Sequence, residues 1–122
     1  MAGMIFRNFD SADETRPFED GKGRLDLLNT DGGSVGRAVF EPGWRWSEHV
    51  KPIAGTDSCR AAHTGYVVSG RMRVVMDDGE SGDAGPGDFI SVPPGHDAWV
   101  VGDEPCVTLD WTGFGDYARP GG

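Results

Sequence analysis

Turn signals punctuate this chain at intervals too short for helices of ordinary length. Asn29-Thr30-Asp31-Gly32-Gly33, Pro42-Gly43, Gly70, Asp78-Gly79, Gly87-Asp88 and Pro93-Pro94-Gly95 cut it into short pieces. Glycine occurs 20 times, scattered along the chain. Between the breaks lie short apolar, β-branched runs at 4–8, 25–28, 34–41, 64–69, 72–76, 89–92, 99–101 and 106–111. Residues 10–19 and 52–61 read as polar loops. The acidic stretch around Asp77, Asp78, Glu80 and Asp83 reads as solvated turns. No stretch carries convincing helical periodicity with caps. The pattern predicts an all-β sandwich or barrel. At 122 residues it is read as one domain over 1–122, with a barrel at about 34–112 preceded by N-terminal strands and a loop in 1–33.

Charge and composition narrow the partners. A net charge of −9 disfavours nucleic acid and acidic membrane surfaces, since both would repel the chain. Two cysteines, Cys59 and Cys106, do not make a disulfide scaffold. No apolar run is long enough for a membrane span, and the first residues do not read as a signal peptide. The expectation is a soluble, cytoplasmic protein with a small-molecule ligand. No Ser-His-Asp nucleophile motif, phosphate-binding loop or dinucleotide fingerprint is present, so no organic cofactor is expected.

Three histidines carry the functional signal. His49 lies in GWRWSEHVKP, His63 in HTGYVVSG and His96 in PGDFISVPPGH. The surrounding glycines and prolines resemble the two-part signature of the cupin superfamily, from about Phe40 to Trp111. The first part is Gly43, five residues, His49-Val50-Lys51, a loop, His63, six residues and Gly70. The second is Gly87, five residues, then Pro93-Pro94-Gly95. The resemblance implies a jelly-roll β-barrel with a divalent metal ion, zinc, iron or nickel, at its centre. It implies His49, His63 and His96 as metal ligands, with Cys59, four residues before His63, as a possible fourth. The chain departs from the pattern at three slots. Lys51 replaces one histidine, His63 replaces the glutamate, and Ala98 occupies the last histidine position while His96 lies two residues earlier.

Alternation adds a geometric expectation. If 44–52 is a strand, Arg45, Ser47, His49 and Lys51 share one face and point into the barrel, with Trp44 and Trp46 on the other. Arg45 and Lys51 are then the candidate catalytic or substrate-orienting groups, suited to an anionic molecule. The same inward row can instead be paired by inward acids such as Asp110. Outward Trp44 and Trp46 would need cover, which suggests a homodimer. Positions 96 and 98 share a face, so His96 can enter the barrel beside the small Ala98. Cys106, Tyr66 and Trp99 read as packing residues. The functional expectation is a metal-binding cupin acting on, or binding, a small anionic molecule. If it is an enzyme, the resemblance implies a metal-dependent dioxygenase, isomerase, lyase or cyclase. The alternative is a metal-free binding or sensor cupin without catalysis.

Overall fold

The structure, a computed structural model, describes residues 3–30, 33–112 and 118. It has two antiparallel sheets facing each other as a jelly-roll barrel. The larger contains β1 (Glu14–Pro17), β2 (Gly23–Thr30), β3 (Gly33–Phe40), β4 (His63–Ser69), β7 (Phe89–Val92) and β9 (Cys106–Thr112), in the order β1-β2-β3-β9-β4-β7. The smaller contains β5 (Met72–Met76), β6 (Ser81–Ala84) and β8 (His96–Val100), in the order β6-β5-β8. Seven of the expected runs, from 25–28 to 106–111, fall on strands.

The inward faces of the two sheets meet in one apolar core. Leu25 and Leu27 of β2, Ala38 and Phe40 of β3, Val67 of β4, Met72 of β5 and Ala98 and Val100 of β8 are all buried there. Phe18, Phe40 and Trp44 close one end, with Phe40 and Trp44 ring centroids 4.4 Å apart and those of Phe18 and Phe40 5.4 Å apart.

Three local expectations are corrected. Residues 4–8 form no strand, and Met4 and Phe6 are almost fully exposed. The first strand is instead β1, inside the stretch read as a loop. It is held there by pairing with β2 and by a bond from Thr15 Oγ1 to Asp26. Secondly, the acidic turn at 81–84 is strand β6, paired with β5. Thirdly, the stretch read as an inward-pointing strand is helical. α1 (Trp46–His49) and α2 (Lys51–Ala54) follow one another across Val50. Pro52 in the first turn of α2 and a left-handed Gly55 at its end are ordinary helix punctuation. Period-two alternation therefore does not apply there. Trp44 and Trp46, expected on an outer face, are both 2% exposed and belong to the core.

Candidate metal centre

The site is assembled from a loop and one strand of each sheet. His63 is the first residue of β4, paired with Val92 of β7. His96 is the first residue of β8, paired with Met76 of β5. In β8, His96, Ala98 and Val100 are all buried and alternate with less buried neighbours, so His96 points into the barrel beside Ala98. Cys59 comes from the connection between α2 and β4. Its backbone is stitched to the small sheet: the Cys59 N–H donates to the His96 carbonyl at 2.8 Å, and the Gly95 N–H donates to the Cys59 carbonyl at 2.7 Å. This fixes the thiol beside the two imidazoles.

One ligating atom from each of Cys59, His63 and His96 lies within 4.8 Å of the others. The two imidazole rings meet edge to face with centroids 5.3 Å apart. Cys59 Sγ stands 3.6 Å from His63 Nε2. Zinc bonds of ordinary length to a thiolate and an imidazole, at the tetrahedral angle, put those two atoms about 3.5 Å apart. The far ring nitrogens are already engaged. His96 Nδ1 donates to the Pro93 carbonyl at 2.9 Å, which leaves Nε2 as the lone-pair nitrogen. His63 Nδ1 faces Asp110 Oδ2 at 3.7 Å. Partners of this kind orient metal-bound histidines. The donor set fits a borderline-soft divalent ion held by three protein ligands.

Electrostatics agree with that fit. Burial alone pushes the Cys59 thiol up, but hydrogen bonding and charge from His63 and His96 outweigh it and bring the thiol well below its usual range. Burial lowers His63, yet Asp110 and Cys59 outweigh it and raise the imidazole. Without an ion these opposed shifts favour a thiolate beside an imidazolium, backed by the Asp110 carboxylate. A metal held by Cys59, His63 and His96 would take the place of the imidazole proton. Cys106, wholly buried on β9, differs: burial pushes its thiol up to about 12. It is a packing residue.

A cavity of about 50 Å³ adjoins the cluster, lined by His63 and His96 together with Trp44, Trp46, Ala98 and Asp110 among others. At about 10–15 Å³ per water-sized position it has room for about three to five waters. Trp44 Nε1, Trp46 Nε1 and Asp110 Oδ1 are buried without a hydrogen-bond partner. Such orphans cost about 1–3 kcal/mol each, and all three belong to residues lining this one cavity.

The structure does not bring every candidate together. His63, His96 and Cys59 meet; His49 lies outside the cluster. Its helix keeps the His49 ring close to its own first turn, with Nδ1 3.0 Å from the Arg45 N–H and 3.1 Å from the Arg45 carbonyl oxygen. Arg45 does not enter the barrel either. Its guanidinium lies over the Trp99 ring at 4.2 Å and stands 3.9 Å from Asp97 Oδ2. Lys51 opens α2, outside the cavity lining. Tyr66 is largely exposed on the outer face. Asp110, foreseen as a counter-charge for an arginine–lysine row, serves His63 instead. Its place was hinted at by Gly65 directly opposite it on β4: a Cβ there would run into Asp110 Oδ1 and the Leu109 carbonyl.

Comparison with known proteins agrees with this architecture. Residues 36–112 match the Cupin domain family. No curated protein matches the chain. A protein of unknown function from Rhizobium leguminosarum bv. viciae is similar over 91% of this chain and 97% of its own, at 21% identity and a TM-score of 0.63. The polyketide cyclase RemF from Streptomyces resistomycificus is similar over 90% of this chain and 79% of its own, at 20% identity and a TM-score of 0.61. A sugar phosphate isomerase of the cupin superfamily from Silicibacter pomeroyi is similar over 87% of this chain and 73% of its own, at 22% identity and a TM-score of 0.59. These likenesses concern the fold. The family match spans both parts of the glycine–proline framework and the strands bearing His63 and His96, and by it this chain belongs to the cupin domain family.

Proposed function

We propose that this protein is a metal-binding cupin that binds or acts on a small molecule at the inner end of its barrel, with Cys59, His63 and His96 as the ligands. The observation that carries the reading is the convergence of one thiol and two imidazoles within 4.8 Å, both imidazoles held by second partners. Three ligands of mixed softness favour zinc and leave a position open for water or a ligand atom. A bound divalent ion would supply Lewis acidity to an oxygen or nitrogen of that ligand. The chain's own groups do the remainder: Asp110 orients His63, the Pro93 carbonyl orients His96, and Trp44 and Trp46 shield the site from bulk water.

The anionic ligand expected from Arg45 and Lys51 loses its basis, because neither side chain lines the cavity. The homodimer loses its first basis too, since Trp44 and Trp46 are covered within the chain. Among the described residues, Tyr66, Val68, Phe89 and Trp111 are apolar side chains exposed on β4, β7 and β9.

The test is the metal content of protein purified without an affinity tag. The expected result is about one zinc per chain, lost in Cys59→Ser and His96→Ala and retained in His49→Ala. Metal retained in the first two variants and lost in the third would reverse the ligand assignment. A second reading, a metal-free binding cupin, is favoured by the way Asp110, His63 and Cys59 pair among themselves without an ion. No metal in the natural protein, together with a co-purifying small molecule, selects it.

A further inference from the structure

The cavity beside the cluster is too small for a metabolite of ordinary size, but it is not closed. A second, open groove of about 330 Å³ lies between the edges of β6 and β7, strands that do not pair with each other. Its volume is within the usual range of small-molecule sites. Val74, Ile90 and Val92 line both spaces, so the groove and the inner cavity adjoin at these three side chains. Strand register leads to the same place. The groove residue Val92 is the cross-strand partner of His63, and the groove residue Met76 is the partner of His96. Directly opposed residues of an antiparallel pair share a face, so the two apolar walls end at the two imidazoles.

The groove also has a charge character. Its lining includes Glu80 and Asp83 and no lysine or arginine. Asp83 is taken up by Arg73 at 2.8 Å, while Glu80 stands exposed at the rim. A carboxylate- or phosphate-bearing molecule meets no lysine or arginine in the groove and one like charge, and reaches positive charge only at the cluster itself. We propose that the groove between β6 and β7 is the ligand site of this protein, and that it takes an uncharged molecule with an apolar body, a ring or short chain, whose inner end carries a nitrogen or oxygen donor that reaches the Cys59–His63–His96 cluster. The donor part rests on the metal reading above; the groove and its charge preference do not.

Gly82 offers a clean way to block the groove. It is paired with the inward Val74, has no positive φ, and a Cβ there meets nothing within 4 Å. A side chain at 82 therefore grows on the groove face without disturbing the core. The probes are 4-phenylimidazole, in its neutral form, and benzoate, an anion with the same ring. Zinc-loaded protein should bind 4-phenylimidazole at least about tenfold more tightly than benzoate. Gly82→Trp should weaken 4-phenylimidazole at least about tenfold with zinc content unchanged. Glu80→Lys, a surface change that leaves packing alone, should tighten benzoate about threefold. Benzoate binding as well as 4-phenylimidazole, or insensitive to Glu80→Lys, overturns the charge class. Undiminished binding by Gly82→Trp overturns the groove. If the natural protein takes up no zinc, the metal reading fails by itself. The uncharged dye N-phenyl-1-naphthylamine then decides the groove in metal-free protein: fluorescence enhanced by the natural chain and not by Gly82→Trp upholds it, and no enhancement overturns it.

Discussion

Single residues separate ligands from scaffold in this barrel. His49 is 6% exposed, and its ring is tied to the backbone of Arg45 within the same turn. Its ring is placed to fasten α1 to the residue before it. His49→Ala should therefore lower stability by about 1–2 kcal/mol, read from the denaturant midpoint, while leaving metal content intact. Gly70 shows the opposite kind of constraint. It has φ +75°, and a Cβ there would collide with the Pro105 carbonyl and the Cα of Cys106. Both the backbone conformation and the space exclude a side chain. Gly70→Ala should cost at least about 2 kcal/mol, with the slope of the denaturant curve unchanged if only the native state suffers.

At the scale of elements, turns and core strands were legible and the site's local frame was not. Turn residues act locally, so Pro42-Gly43, Gly70, Asp78-Gly79 and Pro93-Pro94-Gly95 marked breaks that the structure keeps. β6 was hidden because Ser81, Gly82 and Asp83 carry no strand signal; pairing with β5 alone makes it a strand. The strand expected over 44–52 is a misreading because alternating polar and apolar residues over so few positions fit two periods. The early tryptophans decided it by packing, since α1 places Trp46 in the core. That reading drew Arg45, His49 and Lys51 together on paper. The one correct geometric inference at the site, His96 beside Ala98, came from a true strand. Asp26 illustrates a device that sequence order conceals. It is 3% exposed at the centre of β2 and gathers Thr15 from β1, Arg37 from β3 and its own neighbour Arg24. Burial works to raise this carboxyl, but bonds from Arg37, Thr15 and Arg24 outweigh it and hold it below the usual range. The folded value lies below the unfolded one, so its stabilisation is complete above the unfolded range, near pH 4, and is lost as pH falls through the folded value. Asp26→Asn should lose about 2 kcal/mol at neutral pH and flatten the acid limb of the stability curve, measured by urea unfolding at several pH values. An acid limb as steep as the natural protein's would assign the loss to other carboxylates.

At the scale of the whole molecule, the three candidate ligands come from three places that little else ties together. His63 belongs to the six-stranded sheet, His96 to the three-stranded sheet, and Cys59 to the connection leading from the helices. Among the described residues no ladder joins the two sheets; they meet through the core, and the isolated bridges Arg45–Trp99 and Cys59–His96 tie the connecting segments to β8 alone. An ion at the cluster would thus cross-link the sheets beside the cavity that Phe40 and Trp44 also line. A ligand that binds only the folded state adds about 2.7 kcal/mol at a hundredfold excess over its dissociation constant. For a chain of this size that corresponds to a rise in Tm of about 10 °C. Zinc added to metal-free protein should give such a rise, reversed by a chelator, and the rise should vanish in Cys59→Ser and His96→Ala. Calcium and magnesium, which prefer oxygen donors, should give none. A Tm indifferent to zinc in the natural chain would mean that the thiolate–imidazolium pair is the working form of this site, and that the barrel holds its two sheets by packing alone.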